Sequence, residues 1–474
     1  MKMSDITDMS LVDLAQSISN RKISAVEALE ASLERLTEVN PAINAVIWSD
    51  VESSLEQARK ADEVLASSKT PGLLHGVPLA HKDMFARAGR ANSFGSEIYR
   101  NFKPQTTATV LSRLDLSGAI HFAGLNLAEF AQNGTGHNAH FGDTCNPWNP
   151  DYITGGSSSG SGAAVASRII SASLGSDTGG SVRLPASANG VTGLKPTHSR
   201  VSRFGAMPLS FTCDTIGPLA RNAKDCARIM NVIAGHDPLD PSSSDYDTVD
   251  YEATLNGDLS GIRIGMPDNY FFTDISSDVE NSWREACHAL ESRGAVIVPM
   301  TLPYMEAINT YAALATRTEA ASLHAQNMRE HPEKMGKHIN SKLYTSLGIP
   351  ATYYIESISR RGSLLKAFCE NVFSKVHAIF SPTISFNLPT RRSSDIDLGL
   401  QGSDYYPRRI SDNTRPFNYL GLPAVNVPCG RDSNNLPIGM QIIGKPFSEA
   451  LILKIADAYQ VETDWHNLKP KLCF

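Results

Sequence analysis

Apolar positions recur at helical spacing through residues 10–39, where Ser24 stands as an N-cap with Glu27 at the N3 position. INAVIW then reads as a strand, and another helix starts at about Val51. Within GLLHGVPLAHKDMF, a Val-Pro-Leu-Ala strand runs directly into Lys82. Residues 107–130 read as a helix, a strand (GAIHFAG) and a short turn (LAEF), and apolar strands alternating with helices continue at 170–175, 262–266, 295–299, 377–381 and 437–443. This alternation predicts an α/β fold, a mixed central β-sheet covered by helices on both faces. The segment from about 305 to 375 is helix-dominated and 384–415 is polar and irregular. Together, at about 305–415, they are expected to border a substrate pocket, because variable loops on a rigid scaffold commonly do so.

Length and composition narrow the class. The 474 residues show no linker-like tract, heptads or fixed-period repeat, so residues 1–474 are expected to form one domain. Hydrophobic content of 41% and charged content of 19% suit a large buried core. The formal charge is −6, from 43 basic and 49 acidic residues, and no Lys/Arg-rich run is present to track a phosphate backbone; nucleic acid is not expected as a ligand. Seven scattered cysteines without a CxxC pair argue for reduced thiols rather than a disulfide framework or zinc knuckle. The acidic start MKMSDITDMS and the lack of any run near the roughly 18 apolar residues of a membrane span lead to the expectation of a cytoplasmic protein without membrane attachment.

Chemistry concentrates between Thr154 and Pro185, where two Gly/Ser clusters flank a short apolar run. Four readings compete. Gly156 to Gly160 formally matches the G-x-S-x-G nucleophile elbow, with Ser158 as nucleophile, but DYITGG before it is a poor strand and no downstream acid and histidine stand in a telling context. A phosphate loop lacks its Gly-Lys-Ser/Thr. A helix start capped by Ser159 or Ser161, with a turn at Asp177 to Gly180, is the bland reading. The fourth places successive backbone N–H groups at Gly179-Gly180-Ser181 as an oxyanion site, with Ser181 attacking and a neutral lysine, Lys82, taking its proton through Ser157. Taken alone, Lys82 suits a structural ion pair better than catalysis.

GVPLAHKD, GGSSSGSGAAVA, SDTGGSVRLPA and GLKPT closely resemble the motifs of the amidase signature family of Ser-cisSer-Lys hydrolases, with Lys82, Ser157 and Ser181 separated by 75 and 24 positions as in that family. HFGDTCNPWNP, RPFNYLGLPAVNVPCG and LPIGMQIIG extend the resemblance from about residue 10 to 465. It implies Ser181 as the acylated nucleophile, Ser157 as the serine after a cis peptide bond and Lys82 as general base and acid. It implies an oxyanion hole from the amides of Thr178, Gly179, Gly180 and Ser181, bracing by Ser158, Asp177 and Arg183, and an acyl pocket bordered by Asn133, Gly134, Thr135 and Gly136. No cofactor or metal is implied, and His137 and His140, three apart in a turn-like segment, lack supporting ligands. Two departures stand out: Ser159 replaces the usual glycine, and Ser176 replaces the usual threonine.

The family includes both free amidases and glutamine-using subunits of tRNA-dependent amidotransferases. Anchored on Asn418, the amidotransferase's acidic substrate-reading position falls on Ser411, with Asp412 one place off, and its tyrosine and arginine find no clear equivalents in TEAASLHAQNM or INSKLYTSLG. The resulting expectation is a monomeric or homodimeric hydrolase of small-molecule amides or carbamates, including urethanes and aryl acylamides. The alternative is the glutamine-hydrolysing A-type component of a tRNA-dependent amidotransferase.

Overall fold

The computed structural model describes residues 2–67, 70–399 and 405–472. Eleven strands form in chain order: β1 (Val46–Ser49), β2 (Pro78–Lys82), β3 (Ile120–Leu125), β4 (Ala172–Asp177), β5 (Thr192–Lys195), β6 (Thr215–Ala220), β7 (Arg263–Pro267), β8 (Val296–Met300), β9 (Ala378–Pro382), β10 (Ala424–Arg431) and β11 (Pro437–Gly444). Eight of them make one sheet in the order β4-β6-β5-β10-β11-β9-β7-β8, and the other three a small sheet in the order β1-β3-β2. Pairing is mixed as expected: β7 is parallel to β8 and β9, β2 is parallel to β3, and the remaining pairs are antiparallel.

Helices cover both faces of the large sheet. Successive strand residues point to opposite faces, and on β11 a side chain at Gly439 would meet Ser187 of the helix Arg183–Asn189, whereas one at Gly444 would meet Ser448 and Ile452 at the helix Glu449–Glu462. The two positions differ by an odd number, so these helices lie on opposite sides. The small sheet runs alongside, with β2 next to β4. No backbone ladder joins that seam among the described residues. Instead His81 Nδ1 accepts the Leu174 N–H at 3.0 Å, and burial holds this imidazole neutral by pushing its pKa down to about 3.

The pattern-based elements are largely present, with instructive differences. The helical stretch 10–39 is two helices, Leu11–Ser19 and Ala25–Ile43, separated where Arg21 takes a left-handed φ of 57°. Ser24 caps the second in the expected box with Glu27. Strands β5, β6 and β10 escaped the periodicity because TGLK, TIGPLA and AVNVPCGR are interrupted by Gly or Pro and buried on both faces, which erases the two-residue alternation. The 305–375 segment is helical as expected, chiefly Met305–Leu323, Lys337–Ser346 and Ala351–Val372, while residues 400–404 of the adjoining polar segment lie outside the described residues. Six cysteines are free thiols, and Cys473 lies outside the described residues. No described helix is long and apolar enough to cross a membrane.

The capping box provides a local check on the helix Ala25–Ile43. Replacing Ser24 by Ala should lower stability by about 1 kcal/mol, read as a lower urea midpoint at unchanged slope.

Candidate active site

The end of β2 and the end of β4 bring the expected residues together at the seam. Lys82, the last residue of β2, is 1% exposed, and its Nζ donates to Ser157 Oγ at 2.7 Å and to Ser176 Oγ at 2.9 Å. The serine that departs from the usual threonine thus keeps the hydroxyl that the lysine uses. Burial pushes the Lys82 ammonium down to about 7, while Asp214 and Asp177 pull it partly back. A lysine in that range carries a large neutral fraction near neutral pH and accepts a proton. The structural ion-pair role that suited it from sequence alone is not what this geometry offers, because no carboxylate touches the ammonium among the described residues.

Ser157 follows a cis peptide bond from Gly156 and is fully buried. Gly156 is dictated by space: a Cβ there would stand 2.6 Å from the Asn133 carbonyl and 2.9 Å from the Gly136 amide. Its own N–H donates to the Gly134 carbonyl at 2.7 Å. The 133–136 segment therefore lies directly against the cis-serine turn, stiffened by the Thr135 N–H bond to Asn133 Oδ1 at 2.6 Å. Ser158 is buried, with its Oγ on the Ser176 carbonyl at 3.3 Å and its N–H on the Ser181 carbonyl at 3.3 Å. These bonds leave it as a brace between the two clusters, not as an elbow nucleophile. Ser159 Oγ takes a hydrogen bond from Thr144 Oγ1 at 3.1 Å, so its extra side chain is accommodated by a polar contact.

Ser181 is the most accessible of the three, at 9% exposure. Its Oγ makes no hydrogen bond to Ser157 in this structure; the two segments are joined through the Ser158 amide. The turn before it is built on Asp177. This carboxylate is fully buried and accepts from the Gly180 N–H at 2.7 Å, the Val182 N–H at 3.2 Å and Arg183 Nε and Nη2 at 3.0 Å each. Burial alone would raise its pKa, but the Arg183 charge and hydrogen bonds, with Lys195 and Asn418, hold it down to about 2. Of the amides expected to face an oxyanion, that of Gly180 is thus turned to Asp177, while those of Thr178, Gly179 and Ser181 have no acceptor among the described residues. Gly180 takes φ +132°, and a Cβ there would run into Thr414 Oγ1.

Several residues of this site were not singled out in the sequence. Arg183 spreads its remaining donors over Gln441 Oε1 (2.8 Å), Asn418 Oδ1 (2.7 Å) and the Thr414 carbonyl (3.1 Å). Asp214 accepts from Thr178 Oγ1 at 2.5 Å. Gln441 and Asn418 lie within stretches that carried the family resemblance, but the polar roles of all these residues depend on pairings 36 to 258 residues away in the chain. Toward the helical region, the Arg415 side chain lies over Gly179, 3.8 Å from where a Cβ would stand, and donates to Asp412 Oδ1 at 3.0 Å and Asn309 Oδ1 at 2.9 Å. Ser411 Oγ faces Gly134. Lys342 donates to the Gln132 carbonyl at 2.6 Å, and the buried Gln132 side-chain amide has no partner among the described residues. His137 and His140 do not converge: His137 Nε2 meets the Arg391 carbonyl at 3.0 Å and His140 sits beside Glu129.

Comparison with known proteins places the fold and site in one class. Residues 27–453 match the Amidase family. A curated relative from Chloroflexus aurantiacus, the A-type subunit of glutamyl-tRNA(Gln) amidotransferase, is 36% identical over 99% of this chain and 100% of its own. Among solved structures, one from a vestigial protein complex bearing on the origins of an s-triazine catabolic enzyme aligns with a TM-score of 0.89 at 29% identity, covering 96% of this chain and 98% of that one. The A-type subunit of glutamyl-tRNA(Gln) amidotransferase from Thermotoga maritima aligns with a TM-score of 0.78 at 28% identity, covering 97% and 94%. The chain belongs to the amidase family and is an enzyme of that class.

Two expectations are corrected by these relatives. The hydrolase of small-molecule amides or carbamates gives way to the amidotransferase alternative, because relatives matched from end to end carry that name. The expectation of a small-molecule substrate only, with no nucleic acid and no subunit beyond a second copy, falls with it, since those relatives are named as one component of an enzyme for glutamyl-tRNA(Gln). The difference has a physical source. Absence of a basic run speaks only to direct contact with a phosphate backbone, and one member of an assembly can work on nucleic acid without making that contact itself.

The Asp177–Arg183 pair should dominate local stability. Arg183→Met leaves a carboxylate buried without its cation and should cost about 3–5 kcal/mol, measured by chemical denaturation. Arg183→Lys should recover only part of this, because a lysine cannot match the two-pronged contact.

Proposed function

We propose that this chain hydrolyses the side-chain amide of glutamine, as the A-type component of a tRNA-dependent amidotransferase, and that the released ammonia serves to amidate glutamate carried on tRNA(Gln). The observation that carries this reading is the end-to-end similarity to chains of that name at 35–36% identity. The pocket chemistry is consistent with it. Arg415 and Asp412 set opposite charges beside Gly179, and Lys342 is near enough to feel the Arg415 charge, a suitable setting for an acyl group that bears both an ammonium and a carboxylate.

In this reading Ser181 Oγ attacks the amide carbonyl while its proton passes through Ser157 to neutral Lys82. The carbonyl oxygen becomes an oxyanion held by the Gly179 and Ser181 amides, with the Thr178–Gly180 turn kept in shape by Asp177 and Asp214. Collapse breaks the C–N bond, and the same relay returns the proton to the leaving nitrogen, releasing ammonia and leaving a γ-glutamyl ester on Ser181. Water, deprotonated by the same base, then frees glutamate.

The test is ammonia release from glutamine and formation of glutaminyl-tRNA(Gln) from glutamyl-tRNA(Gln), with the chain purified together with its partner subunits. Ser181→Ala should abolish both while leaving the assembly intact. No ammonia from glutamine in the complete assembly would end the proposal. Because the relay needs neutral Lys82, the rate should rise with pH through an inflection near 7, read from kcat/KM between about pH 5.5 and 9. Lys82→Ala should remove that inflection with most of the activity.

A further inference from the structure

We propose that Asp214 is a positioning residue of the active site, which anchors the oxyanion turn through Thr178 and sets the proton affinity of Lys82 through the charge of its carboxylate. This rests on the roles assigned to Ser181 and Lys82 above. Asp214 lies just before β6, opposite the end of β4. The partners of its carboxylate all donate: Thr178 Oγ1 to Oδ1 at 2.5 Å, and the N–H groups of Leu209 and Ser210 to Oδ2 at 2.8 and 2.9 Å. Burial raises the pKa of this carboxyl, while two N–H groups on one oxygen, a hydroxyl on the other and the nearby Arg203 favour its ionised form.

The same carboxylate shares a cavity wall with Ser176, whose Oγ takes the Lys82 Nζ hydrogen bond at 2.9 Å. Asp214 and Ser176, the second hydrogen-bond partner of Lys82, both line a cavity of about 200 Å³ with Met84, Met207, Phe211 and Ile216. Lys82 is fully buried and Asp214 partly so, with Arg203 and Asp240 lining the same cavity, so the charge of Asp214 reaches Lys82 less screened than it would across solvent. The charged groups facing Lys82 are Asp214 and Asp177. Asp177 is spent on its two-pronged bond to Arg183, whereas Asp214 has no ion pair among the described residues; Arg203, the cation beside it, directs its Nη1 to the Phe211 and Asp214 carbonyls. Glu319, fully buried on the helix Met305–Leu323, takes the Thr212 N–H at 3.1 Å and so helps hold the 210–214 loop. A purely structural staple would need Asp214 only for the shape of this loop. A positioning residue that also sets the charge balance must move the pH response of Ser181.

The experiment is the pH dependence of Ser181 labelling by a fluorophosphonate on the purified full chain, which requires neither glutamine nor tRNA. In Asp214→Asn the midpoint of the acid limb should move down by about one pH unit, the low end of what losing a neighbouring opposite charge produces, so the rate near pH 5.5 relative to pH 9 rises several-fold while the plateau falls. Thr178→Val keeps the charge but loses the anchor: its plateau should fall about tenfold, short of the roughly 10²–10³-fold that outright loss of an oxyanion donor costs, with the midpoint unmoved. Asp214→Glu, which also keeps the charge, should likewise hold the midpoint and serves where Asp214→Asn fails to fold. An Asp214→Asn midpoint equal to that of the unaltered protein, or a midpoint that moves in Thr178→Val or Asp214→Glu, overturns the charge role. A Thr178→Val plateau equal to the unaltered one overturns the anchoring role. No labelling of the unaltered chain would bring down the Ser181 assignment as well, whereas labelling without glutaminase activity would bring down only the proposed substrate.

Discussion

The buried Asp177–Arg183 ion pair is the contact on which the site depends. A carboxylate at 0% exposure is tolerable only when every lone pair is engaged, and here the partners that engage it are the parts of the active site. Gly180, Val182 and Arg183 give their amides, Arg183 its guanidinium fork and Asn418 its side-chain amide. Satisfying one charge therefore fixes the turn that carries Ser181, the start of the following helix and the 414–418 segment from the far end of the chain. Arg183 extends the same constraint to Gln441 on β11.

Lys82 depends on a second constraint, the seam between two sheets. Because β2 and β4 are not joined by a backbone ladder, the space between them is bridged by side chains, and a lysine at the end of β2 can reach serines on both sides without leaving the protein interior. Burial depresses its proton affinity, and carboxylates at Asp214 and Asp177, neither in contact with it, keep the depression moderate. A direct ion pair would have held the ammonium charged. Distance from its counter-charges is what leaves this lysine able to take up a proton in the proposed relay.

Much of this was legible in the sequence, for identifiable reasons. The Ser24–Glu27 box is local, so its residues alone announce it. Lys82 at a strand end was readable because an apolar run must finish somewhere, and the Gly/Ser clusters because so many small residues are otherwise costly to order. The motifs then supplied the family. What the spacing did not show was which amides of the 178–181 turn are free and which is taken by Asp177, since that is settled by the orientation of one carboxylate. Substrate assignment failed at Ser411 and Asp412, where counting from Asn418 weighed one position, whereas the chain arranges Asp412, Arg415 and Asn309 as a charged cluster.

The sequence by itself determined the family, and with it the class of chemistry, and most of the alternating helices and strands, and it nominated the three polar residues proposed to act, because these rest on local pattern and on motifs contiguous in the chain. Only the tertiary structure decided the electrostatics. Whether Lys82 is a base or an ion-pair partner, and whether Asp214 is a loop residue or a neighbour of the catalytic seam, follows from burial and from contacts between positions dozens to hundreds of residues apart. Those quantities belong to the packed interior, where low polarizability makes each charge sensitive to all the others.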